Sequence, residues 1–141
     1  MTILVDTAPI VAAIDRDDPE GGAVRDLLRA AREPVTMSAQ ITAEIDYLVS
    51  QRLGERPRQA FLRDLANGRF DVQCLQPGDY DVVFALEQRY EDLRPGLADL
   101  SLIVLADRFD TRRILTFDQR HFRAMKPLQG GSFEILPADL P

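Results

Sequence analysis

Ile3 to Val5 is a three-residue apolar run that closes on an acid, Asp6. A run that short reads as a buried strand, and an acid at its end sets a carboxylate on the carboxyl edge of a sheet. In open α/β sheets that edge is where ligands bind. The rest of the chain is informative chiefly for the groups it brings to the same edge.

The following segments alternate short apolar stretches with helical spacing. Thr2 to Val5 is read as the first strand, and Thr7-Ala8-Pro9 opens a helix through Ile14, proline being tolerated in a first turn. After a polar break at 15–19, Ala23, Leu27, Leu28 and Ala31 give a second helix that ends before Pro34. The three acids of the break do not match the spacing of a calcium loop, and acids ahead of a helix complement its dipole. Val35 to Met37 is short enough to be a buried parallel strand. Ser38 then caps a helix to about Leu53, its stripe formed by Ile41, Ile45, Leu48 and Val49.

Gly54 closes that helix and Pro57 opens another through Ala66, with Phe61, Leu62 and Leu65 inward. Asn67-Gly68 stops it. Phe70 to Leu75 alternates as a half-buried strand would, with Cys74 expected as a small buried hydrophobe. A helix from Pro77-Gly78-Asp79 turns Val82, Val83, Leu86 and Tyr90 inward. Leu97 to Ala106 is the most apolar segment, a helix that must be buried nearly all round. Arg112 to Thr116 and Phe133 to Leu136 complete the strands, so the expected class is α/β.

Acids can now be sorted by where they fall. Glu44 lies ~40° beyond the edge of its helix stripe, within reach of a cleft at the core margin, whereas Asp46 points ~200° away from it. Asp99 sits in the first turn of the buried helix, either complementing the dipole or facing a charged partner, since ionised carboxylates are rarely buried alone. Asp118 follows its strand as Asp6 follows the first. If those strands are neighbours at a switch point, both acids overlie one crevice. Asp110 falls at the opposite edge and Asp107 one turn too late. Asp6, Glu44, Asp99 and Asp118 then form a set of like charges that a divalent cation would have to neutralise. Oxygen donors select a hard ion, Mg²⁺ or Mn²⁺, over zinc.

At 141 residues the chain is expected to be one domain. Its net charge of −6 offers no bulk attraction for nucleic acid, yet its cations are sixteen arginines and one lysine. Arginine grips phosphate bidentately, although codon composition accounts for the excess equally well. One cysteine, and no segment apolar enough for a leader or a membrane span, point to a cytoplasmic protein. No dinucleotide fingerprint, phosphate loop or serine-nucleophile elbow is present. A phosphatase D-x-D would need an acid where Ala8 stands.

Val5-Asp6-Thr7, Thr42-Ala43-Glu44-Ile45, Tyr90-Glu91-Asp92-Leu93 through Gly96-Leu97-Ala98-Asp99, Val104 to Arg108, and Leu115 to Phe122 together resemble the PIN-domain ribonucleases of the VapC toxin family, in order and spacing, over nearly the whole chain. The resemblance implies a three-layer α/β/α fold with a mostly parallel sheet in order 3-2-1-4-5. It also implies a magnesium-dependent endoribonuclease acting on structured RNA, restrained by a VapB-type antitoxin and usually dimeric. A catalytically silent RNA- or protein-binding module is the alternative. The family's acids carry over onto Asp6, Glu44, Asp99 and Asp118, with Thr7 and Thr116 as hydroxyl supports. Asp6 and Asp99 are the expected direct ligands; Glu44 and Asp118 bind a second ion, hold waters or act as base. Arg112, Arg113, Arg120, His121 and the Arg56-Arg58 turn are candidate RNA contacts. Leu100 stands where many relatives carry a small residue, which is expected to narrow the site.

Overall fold

The computed structural model describes residues 1–141. Five strands, β1 (Ile3–Val5), β2 (Val35–Ser38), β3 (Asp71–Gln73), β4 (Arg113–Leu115) and β5 (Glu134–Leu136), form one sheet in the order 3-2-1-4-5. All four pairings are parallel. The β1 ladder runs on past its last residue, because the Asp6 amide donates to the Leu115 carbonyl at 2.9 Å. Every strand therefore ends at the same edge, and the order reverses between β2-β1 and β1-β4, which is the switch point of such sheets.

Seven α-helices cover the sheet: α1 (Thr7–Ile14), α2 (Gly21–Ala30), α3 (Ala39–Leu53), α4 (Glu55–Ala66), α5 (Asp79–Arg89), α6 (Leu97–Arg108) and α7 (Gln119–Ala124), with a single 3₁₀ turn at Glu91–Leu93. α1 packs against α2 and α3, α3 against α4, and α5 against α6, which lies on β1 and β2. The expected sheet order and helix sequence are met. α6 is buried without interruption from Leu100 to Ala106, as a helix apolar on all faces requires.

Local chemistry explains both ends of α3. Ser38 caps α3 by accepting from the Ile41 amide at 3.2 Å, and Gly54 ends that helix at φ 95°, a conformation that glycine adopts without strain. α1 and α2 meet with little clearance: a Cβ at Gly21 would lie 2.2 Å from the Ala12 carbonyl oxygen.

Four inward readings are corrected. Cys74 is exposed, not buried, and Leu62 and Val82 are 39% and 36% exposed. In α2 it is Val24, fully buried, that faces the core, while Ala23 is exposed. Cys74 directly follows β3, the edge strand, while Leu62 and Val82 lie on α4 and α5, helices packed against α3 and α6. Spacing identifies a face of an element, but depth depends on what covers it: beside β3 there is no further strand, and the outer helices α4 and α5 are covered on one side only. Leu100 is 2% exposed and points toward α5, contacting the space lined by Tyr80, Val83 and Phe84, so it does not narrow the acidic site.

Candidate active site

β1 and β4 are neighbours, so the acids that follow them are brought to one place. Asp6 is the N-cap of α1: Oδ1 accepts from the Thr7 amide at 2.8 Å and Oδ2 from the Thr116 hydroxyl at 2.7 Å. Thr116 Oγ1 in turn accepts from the Asp118 amide at 3.0 Å. Asp118 caps α7, its Oδ1 accepting from the His121 amide at 3.0 Å, while its Oδ2 lies 3.0 Å from His121 Nδ1. Asp99 arrives from the first turn of α6 and Glu44 from the exposed flank of α3.

These four acids line a single cavity of about 250 Å³ together with Thr7, Ala8, Leu48 and Arg52. All four expected acids are thus in one cavity, and Asp46, Asp107 and Asp110 are not. Asp46 pairs with Arg58 at 2.8 Å. Thr116 supports Asp6 through its hydroxyl as expected, whereas Thr7 does so through its backbone amide.

The environment of the acids is electrostatically unfavourable without a cation. Burial pushes the Asp6 carboxyl up from 3.8 to about 6, the Asp99 and Glu44 charges add to it, and the Thr116 and Thr7 hydrogen bonds oppose it. Asp99 is also raised, chiefly by burial and further by Asp118, against the lowering contacts of His121 and the Gly96 amide. In addition, the Thr7 hydroxyl is buried at the cavity wall without a hydrogen-bond partner. Carboxylates kept near one another with an unused hydroxyl beside them fit a divalent cation.

The candidate RNA contacts divide. Arg112 donates to the Gly130 and Gln129 carbonyls at 2.8 and 3.2 Å, and Arg113 pairs with Glu33 at 2.6 Å and Glu134 at 3.1 Å. Both stand at the amino end of β4, across the sheet from the acids, so the structure does not bring them to the cavity. Arg58 is held by Asp46 and Glu55. Arg56 and Arg120 are exposed.

Two residues were under-read. Arg52 lines the cavity; its spacing of eight from Glu44 and four from Leu48 puts all three on one helix face, a signal present in the sequence. His121 joins the acids directly, with Nδ1 3.2 Å from Asp99 Oδ2 and 3.0 Å from Asp118 Oδ2. The i,i+3 relation to Asp118 was the signal for it.

The PIN domain family model matches residues 3–127. Ribonuclease VapC26 of Mycobacterium tuberculosis (strain ATCC 25618 / H37Rv) is 36% identical over 135 residues, covering 96% of this chain and all of that protein. The chain belongs to the PIN-domain family. Among solved structures this PIN domain is similar in fold to M. tuberculosis VapC20, a sarcin-ricin loop cleaving toxin, with a TM-score of 0.77 at 18% identity over 83% of this chain and 90% of that one. It is also similar to VapBC2 from Rickettsia felis bound to a DNA fragment from their promoter, with a TM-score of 0.68 at 20% identity over 96% and 98%. The cavity of this PIN domain therefore lies in a fold shared with ribonuclease toxins.

Proposed function

We propose that this PIN domain, residues 1–141 acting as one unit, is a metal-dependent endoribonuclease and the toxin of a toxin-antitoxin pair. The observation that carries the reading is the convergence of Asp6, Glu44, Asp99 and Asp118 on one cavity at the carboxyl edge. The kinship with a ribonuclease over the whole chain supports it. Mg²⁺ is the ion proposed, with Mn²⁺ as a substitute, because the four acids offer only oxygen. Bound there, the ion would lower the pKa of a water and stabilise the leaving oxygen of a phosphodiester.

The chain's own residues prepare that chemistry. Thr116 and the α1 amide fix both oxygens of Asp6 in orientation. Asp99 shares the cavity and lies close enough for its charge to raise Asp6. Glu44, on an exposed flank, holds waters or serves as base. Arg52, which lines the cavity, and the exposed Arg56 and Arg120 are the cations proposed for RNA phosphates.

The antitoxin is assigned to the groove among α1, α2, α3 and α4. Two adjoining cavities there, of about 250 and 450 Å³, share Ile14, Phe61 and Asp64 and are rimmed by arginines. Exposed Tyr80, Phe84 and Leu97 supply an apolar face for a second copy. No helix is long and apolar enough to cross a membrane, which accords with the proposed cytoplasmic location. The reading of a silent binding module has no observation in its favour, since binding alone does not require four acids in one cavity.

The test is direct. Antitoxin-free protein is incubated with structured RNA and Mg²⁺, beside EDTA and Asp99→Asn controls, and cleavage sites are mapped across the transcriptome after induction. Cleavage is expected to disappear in both controls. Cleavage that persisted in both would refute a metal nuclease centred on these acids.

A further inference from the structure

The tightest group of donors in the molecule is not the four acids but Asp99, Asp118 and His121, whose ligand atoms all lie within 4.8 Å of one another. His121 Nδ1 sits between two carboxylate oxygens, 3.2 Å from Asp99 and 3.0 Å from Asp118. A neutral imidazole nitrogen carries either one proton or one lone pair. It therefore cannot satisfy both carboxylates by donating a single hydrogen bond. Only the contact with Asp99 is aligned as a hydrogen bond; the shorter contact with Asp118 is not.

The ring is also held in place. The α7 cap fixes Asp118 through the His121 amide, and the His121 side chain is only 15% exposed. Adjacent ligands on an octahedral ion with bonds of ~2.1 Å are ~3.0 Å apart, and opposite ligands ~4.2 Å apart. The two measured nitrogen-oxygen contacts match the shorter spacing. The two carboxylate oxygens lie within 4.8 Å of each other, which accommodates opposite positions at ~4.2 Å.

We propose that His121 Nδ1 is a metal ligand, forming with Asp99 and Asp118 a mixed nitrogen and oxygen position for a divalent transition-metal ion, of which Mn²⁺ is the probe. The proposal rests on the metal-nuclease reading and adds to it. Asp99 is then shared between this outer position and the all-oxygen side formed by Asp6 and Glu44. A nitrogen donor favours manganese and later transition ions over magnesium. The site is thereby selective on one side and tolerant on the other.

His121 is the only histidine in the chain, so an isotope can mark it alone. Protein made without a histidine tag, labelled with ¹⁵N-histidine, is loaded with Mn²⁺ and read by pulsed electron paramagnetic resonance. A nitrogen coupling that changes from ¹⁴N to ¹⁵N on labelling is expected. His121→Gln should abolish it and weaken Mn²⁺ binding by at least ~10-fold, the lower end of what loss of even a supporting group at a metal site costs, while changing Mg²⁺ affinity less. Arg120→Ala should leave the coupling intact. Bound Mn²⁺ without any histidine coupling would overturn the proposal and leave the nuclease reading untouched. Absence of bound Mn²⁺ together with EDTA-insensitive cleavage would overturn both. Should His121→Gln fail to fold, the wild-type labelled spectrum decides by itself.

Discussion

The two edges of this sheet treat polar groups in opposite ways. At the amino edge the buried hydroxyls and charges are matched: the Thr2 hydroxyl reaches the Pro34 carbonyl at 2.7 Å and Thr36 at 2.6 Å, Thr111 donates to the Thr2 carbonyl at 2.7 Å, and Arg113 is clasped by Glu33 and Glu134. At the carboxyl edge Asp6, Asp99 and Asp118 face one another, two of them with raised pKa, beside a Thr7 hydroxyl that has no partner. One edge has these hydroxyls and charges paired and holds the fold. The other is incomplete in the free chain, and that incompleteness is its function.

The largest expected effect comes from removing the charge at the incomplete edge. Asp6→Asn should lower RNA cleavage by roughly 10²- to 10³-fold, the scale on which loss of one group stabilising transition-state charge is felt. Folding should be unimpaired, because asparagine keeps the N-cap. A variant that cleaved normally, or one that unfolded, would erase the contrast between the edges.

The second effect is in pH. Folded Asp6 holds its proton up to about 6 whereas an ordinary aspartate releases it at 3.8, so the folded state binds the proton more tightly than the unfolded one. Stability of the metal-free protein should therefore fall as pH rises across that window, by up to ~3 kcal/mol. Below the window the penalty is absent. Urea unfolding of wild type against Asp6→Asn isolates this contribution, and saturating Mg²⁺ should flatten it. A wild-type minus Asp6→Asn difference that grew in favour of wild type with rising pH would contradict the assignment.

At the complete edge the sign reverses. Thr111→Val deletes the hydroxyl that serves the Thr2 carbonyl and should cost about 1–2 kcal/mol of stability, measured by urea unfolding, with cleavage per folded molecule unchanged. The smallest effect is at the periphery: Arg120→Ala should weaken RNA binding a few-fold and reduce the salt dependence of affinity by about one phosphate contact, read from binding at several ionic strengths.

How far the residues alone foretold this arrangement depends on what each signal measures. Asp6 and Asp118 were legible because each follows an apolar strand, and chain direction then dictates the edge. Asp99 was legible because a charge in an otherwise apolar helix has to face something. Glu44 required only the helical repeat. His121 and Arg52 were harder, since a single histidine beside a phenylalanine, or one arginine among sixteen, carries no local mark of what it faces. Arg112 and Arg113 were misplaced because arginines read as phosphate contacts by type, while their position at the start of β4 commits them to the other edge. Cys74, Leu62 and Val82 went wrong for a different reason: spacing reports direction around an element, and depth depends on neighbours that are distant in sequence.

One consequence of the corner between α1 and α2 concerns the far end of α1. Gly21 leaves no clearance above the Ala12 carbonyl, and Arg25 reaches the next carbonyl, that of Ala13, at 3.0 Å. α1 is an eight-residue rod ~12 Å long, gripped at its last turn by α2 and joined at its first to Asp6. A side chain added at Gly21 would press on the last turn of α1, so the helix that Asp6 caps is braced at its far end by α2. The seat of Asp6 thus has a buried packing contact behind it at the opposite end of α1.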